Sequence, residues 1–100
     1  NPWLLDREQR LLTAPNGAST RLNALETRLL QTLFGHPERM ASRDDLVAML
    51  AGEAPGYSMP RLEALVSRLR AKVAGKCTMK LPLVSCYGRG YRFDGHVRML

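Results

Sequence analysis

Arg61 and Arg68 stand seven residues apart, in a stretch whose neighbouring residues Ala64, Ser67 and Ala71 are small. On an α-helix, at about 100° per residue, that spacing brings both guanidiniums to one side and leaves a low surface for close approach. A guanidinium can donate two parallel hydrogen bonds to guanine O6 and N7, or pair with a phosphate, so the chemistry on offer is recognition rather than bond making. Arg68 is the first choice for a base contact. Arg89 is a second outlying cation, set between Gly88 and Gly90. The glycines allow the positive dihedral angles of a tight hairpin and leave the arginine little to pack against. From such a tip it would reach an adjoining minor groove, where a narrow floor concentrates negative potential. Arg70 and Lys72 flank the same helix, while Ser42 and Arg43 open another whose first backbone donors suit an anion. These four are read as phosphate contacts, with a pairing to an acid inside the fold as the alternative for Arg70.

The charge is distributed to match. The chain of 100 residues carries a net charge of +6. From 1 to 56, six basic residues face seven acids, whereas from 57 to 93 eight basic residues face Glu63 alone. A polyanion is the natural partner of such a segment. Catalysis would need a poised nucleophile, an acid–base pair or a metal site. His36 precedes a proline and His96 lies in the tail, and Cys77 and Cys86 lack the close pairing with another Cys or His that zinc modules use. The expectation is therefore no enzyme, no metal, no cofactor and no small-molecule substrate, with the cysteines as reduced packing residues. No run approaches the roughly 18 apolar residues of a membrane span, and no basic-then-apolar leader is visible, so the expected location is cytoplasmic.

Hydrophobic residues make up 45% of the chain, enough for one modest core. Residues 1–22 read as a β-meander, with strands at Trp3 to Leu5, Leu11 to Thr13 and Ser19 to Leu22 and a turn at Pro15-Asn16-Gly17. Helix 1 is expected over 23–35: Asn23 with Glu26 has the form of a capping box, and Leu25, Leu29, Leu30, Leu33 and Phe34 share a face. Arg39 to Ala41 reads as an extended link. Helix 2, over 42–51, opens on Ser42 and buries Leu46, Val47 and Leu50. Helix 3, over 58–74, tolerates Pro60 in its first turn and buries Leu62, Leu65, Val66, Leu69 and Val73. A hairpin follows over 83–93, in which Tyr91 and Phe93, like Trp3, alternate with polar residues as core positions do; Tyr87 stays open.

Three stretches together resemble one family: His36-Pro37-Glu38-Arg39-Met40-Ala41-Ser42-Arg43-Asp44-Asp45-Leu46, Val66-Ser67-Arg68-Leu69-Arg70-Ala71-Lys72-Val73 and Tyr87-Gly88-Arg89-Gly90-Tyr91-Arg92-Phe93. They look like successive signatures of the OmpR/PhoB-type effector domains of bacterial response regulators. The resemblance implies an α+β winged helix-turn-helix with an N-terminal antiparallel sheet, three helices and a C-terminal hairpin wing. It implies binding of promoter double-stranded DNA on direct repeats, contact with RNA polymerase through the loop 52–57, and an N-terminal receiver or other sensor module in the full-length protein. The contact set would be Arg61, Ala64, Ser67, Arg68, Arg70 and Lys72 on the recognition helix and Tyr87, Gly88 and Arg89 on the wing. Three departures accompany it. The family's sheet has four strands where this chain shows three, so its first strand is expected to fall outside the chain. Leu65 and Ser67 stand where polar contacts are common, and in the wing the arginine moves from position 87 to the tip at 89. The competing reading is a winged helix that no longer binds DNA and serves as a protein-interaction module.

Overall fold

The computed structural model describes residues 1–100. Alternation of apolar and polar side chains makes β1 (Trp3–Asp6), β2 (Leu11–Thr13) and β3 (Ser19–Arg21) an antiparallel meander, with Leu5 opposite Leu12 and Leu12 opposite Thr20. The turn before β3 uses Gly17 at a φ of 90°, and Asn16 accepts there from the Ala18 N–H. Asn16 also donates to the Cys77 carbonyl at 2.8 Å, tying the meander to the third helix. The sheet nevertheless has four strands. Val97–Met99, read as tail, forms a last strand parallel to β1, with Trp3 opposite Val97 and Leu5 opposite Met99. Three residues are too few to show a period, so only the β1 edge they meet identifies them.

Asn23 caps α1 (Ala24–Gly35) with a complete capping box: its side chain accepts from the Glu26 N–H at 2.8 Å, and Glu26 accepts from the Asn23 N–H at 2.8 Å. Residues expected to be a link form β4 (Met40–Ser42), antiparallel to the second strand of the hairpin, with Ala41 opposite Tyr91. Ser42 then caps α2 (Arg43–Ala51) by accepting from the Asp45 N–H. The third helix, α3 (Met59–Cys77), runs past its expected end at 74. Gly75 lies on its open side and costs the helix only flexibility, while Cys77 is fully buried and anchors the extra turn. Thr78, at a φ of 53°, ends it. The hairpin β5 (Leu83–Cys86) and β6 (Gly90–Phe93) completes a second sheet in the order β4-β6-β5, and β7 (Val97–Met99) completes the first in the order β3-β2-β1-β7.

One core serves both sheets and all three helices. Phe93 sits at its centre, edge-on to Phe34 at 4.7 Å and to Trp3 at 6.0 Å, so a single side chain joins the hairpin, α1 and the first strand. Both cysteines are free thiols, and burial pushes that of Cys77 above its ordinary pKa.

Candidate nucleic-acid interface

The apolar stripe of α3 is buried as its spacing predicts: Leu62, Leu65, Val66, Leu69 and Val73 all face the core, and Cys77 joins them. Burial on that side leaves Arg61, Ser67, Arg68 and Ala71 exposed on the other, with Ala64 half-buried between them. Neither Arg61 nor Arg68 enters an ion pair; the chain's two salt bridges join Arg28 to Glu53 and Lys72 to Glu26. The two guanidiniums therefore stay available to an outside anion.

Arg70 and Lys72, expected beside them, are engaged inside the fold. Arg70 donates through Nε and Nη2 to the Leu83 carbonyl, at 3.0 and 2.6 Å, clamping α3 to the base of the hairpin. Lys72 donates to Glu26 Oε1 at 2.6 Å and to the Arg21 carbonyl at 3.3 Å. The partners are a main-chain oxygen and the buried carboxylate that also caps α1. An ammonium held by that carboxylate is largely neutralised toward phosphate.

At the hairpin tip the Arg89 N–H closes a turn on the Cys86 carbonyl at 2.9 Å, with Gly88 at a φ of 68°. The side chains of Tyr87 and Arg89 extend freely, Tyr87 being 101% exposed, which takes it out of the core. Gly90 serves a different purpose from Gly88. A Cβ there would collide with the Ala41 carbonyl and come within 2.8 Å of the Ser42 Cα, so its missing side chain lets β4 close on β6. The start of α2 is correspondingly occupied. The Arg43 N–H donates to the Arg89 carbonyl, Ser42 Oγ accepts from Asp45, and Asp44 and Asp45 already compensate the helix dipole. The phosphate seat expected at Ser42 and Arg43 thus reduces to the Arg43 guanidinium, which lies over the Tyr91 ring at 5.7 Å and has its Nε buried without a partner.

Residues 17–93 match the family described as transcriptional regulatory protein, C terminal. The chain belongs to that family. Among curated relatives of this regulator C-terminal domain, the regulatory protein VirG of Rhizobium rhizogenes is 32% identical over 98 residues, which are 97% of this chain and 40% of VirG. VirG of Agrobacterium fabrum is 31% identical over 95% of this chain and 38% of its own length. The chain thus spans about two fifths of the relatives it matches. Among solved structures, the DNA-binding domain of Bacillus subtilis CssR superposes with a TM-score of 0.71 at 26% identity, covering 92% of this chain and 99% of that one. The DNA-binding domain of the response regulator AdeR, solved in complex with an intercistronic region, gives 0.75 at 18% identity, covering 94% and 95%. The fold of this regulator domain is a winged helix-turn-helix, with α2 and α3 as its consecutive helices and the β5–β6 hairpin in the place of the wing.

One residue beneath this regulator domain's open face was invisible to sequence reasoning. Tyr57, assigned only to the loop between α2 and α3, is buried, donates its hydroxyl to the Arg61 carbonyl at 3.2 Å and carries the Arg61 guanidinium 4.7 Å above its ring. Burial raises its pKa, and the charges of Arg61 and Arg68 partly oppose that. The available signal was an aromatic four residues before an arginine across a helix start.

Proposed function

We propose that the chain binds double-stranded DNA in a sequence-dependent way, as the output domain of a bacterial transcription regulator. The observation that carries this reading is the division of α3 into a buried apolar stripe and an open side bearing Arg61, Ser67 and Arg68 over small residues. A helix anchored on one side can lay the other in a major groove, where Arg68 reads guanine. Ala64 and Ala71 allow close approach, and Arg61 meets the flanking phosphate. The wing, through Tyr87, Gly88 and Arg89, grips the adjoining backbone or minor groove, and the Arg43 guanidinium adds one more phosphate contact. The solved AdeR domain on an intercistronic region and the regulatory VirG proteins support this reading by likeness. The rest of the scheme follows from a regulator of the two-component kind: a receiver or other sensor preceding this domain, paired copies on direct repeats of a promoter, contact with RNA polymerase through residues 52–57, and a cytoplasmic site of action. No helix is long and apolar enough to cross a membrane.

Fluorescence anisotropy with labelled duplexes tests the reading. Affinity is expected to fall steeply with salt as condensed counterions are released. Arg68→Ala should flatten the preference for a selected site over a scrambled one by about 1–3 kcal/mol, whereas Arg89→Ala should weaken both alike. Absence of binding at low salt would transfer the open face to the protein-interaction reading. Equal losses on both sites in both variants would refute the assigned roles.

A further inference from the structure

The Tyr57 ring and the Arg61 guanidinium form a unit that the base and phosphate contacts do not account for. Tyr57 is only 8% exposed although it lies in the segment joining two helices. Its hydroxyl donates to the Arg61 main chain at 3.2 Å, while its ring supports the Arg61 side chain at 4.7 Å, so the arginine is held at both ends. Leu25, Pro60, Ala64 and Arg68 line the same cleft of about 300 Å³. A guanidinium stacked on an aromatic face keeps its N–H edge free to donate. An arginine without such support must give up its rotamer freedom on binding, and that loss weakens the complex.

We propose that Tyr57 is a positioning residue for DNA binding: its buried ring holds the Arg61 guanidinium beside Arg68, in docking position, before a duplex arrives. The inference rests on the DNA-binding reading above and deepens it. Tyr57 acts through Arg61 and touches no nucleic acid itself. A phenol is protonated at neutral pH in any case, so the hydroxyl is a donor there, and burial raises its pKa further.

The test is a double-mutant cycle on the full chain, read by anisotropy with a labelled mixed-sequence duplex over a range of salt. Arg61→Ala should lower the slope of log affinity on log salt by about 0.9, the value of one phosphate contact. Tyr57→Leu should weaken binding by about two- to tenfold, the cost of ordering one long side chain on binding rather than beforehand, and Tyr57→Phe, which keeps the ring, should restore most of that. In the Arg61→Ala background, Tyr57→Leu should change nothing further. The same factor lost with and without Arg61, or an Arg61→Ala chain that binds like wild type, overturns the proposal. Should Tyr57→Leu not fold by circular dichroism, nitrogen relaxation of the arginine side chains in the DNA-free wild type decides. An ordered Arg61 beside a mobile Arg89 supports the platform, and equal mobility overturns it. Wild-type protein that binds no duplex defeats the DNA reading itself; a wild type that binds, with losses that simply add, defeats only the role of Tyr57.

Discussion

Arg68, Arg70 and Lys72 are three cations within five residues of one helix, the first expected to read a base and the other two to meet phosphate. Their side chains nevertheless do different things, because what each can reach is set by parts of the chain far away in sequence. Arg70 meets the Leu83 carbonyl and Lys72 the Glu26 carboxylate, while Arg68 meets neither. The chemistry on offer was thus legible in residue types, and the internal partners that Arg70 and Lys72 meet were not. The glycines of the wing divide in the same way. Gly88 has open space around it but a φ of 68°, so Gly88→Ala should cost only the strain of a positive dihedral, about 1 kcal/mol. Gly90→Ala must push a methyl group into the β4 main chain. A loss of about 1–3 kcal/mol is expected for it, and urea denaturation should rank Gly90→Ala as the more damaging of the two.

At the scale of elements, the three helices were readable because their apolar residues recur with helical period and their starts carry caps that the structure realises at Asn23 and Ser42. The strands β4 and β7 were not, since three residues carry no period and take their identity from the partner they meet. The end of α3 was misplaced for a related reason: Gly75 reads as a stop, but burial of Cys77 makes a further turn favourable. The joint between helix and wing depends on Arg70, whose two donors converge on Leu83. Arg70→Met should therefore cost about 1–3 kcal/mol in a denaturant melt, with hydrogen exchange accelerated at β5 more than at α1. Arg70→Lys should rescue little, because an ammonium lacks the planar fork. Wild-type protection at β5 in the Met variant would show the clamp to be incidental.

Across the whole molecule, one core with Phe93 at its centre holds α3 and the β5–β6 hairpin together, and burial in the folded state also shifts two titrations. Burial raises the pKa of both Cys77 and Tyr57, so folding favours their protonated forms. By linkage, that stabilisation is complete below the unfolded values, about 8.5 for a thiol and about 10 for a phenol, and is lost as pH rises through the higher folded values. Urea midpoints should hold steady from pH 7 to about 8 and fall progressively above about 9, with Cys77→Ala removing the earlier part of the decline. A midpoint independent of pH through that range would mean both groups titrate as they do in the unfolded chain. What the amino-acid sequence determined by itself was the local physics: the period of each helix, the caps, the turn glycines and the concentration of cations between 57 and 93. Each depends on residues within a few positions of one another. Tertiary structure alone decided which cations remain free, that Tyr57 lies under Arg61, and that residues 97–99 complete the first sheet. Those outcomes require groups distant in sequence to meet, and no local pattern encodes that meeting.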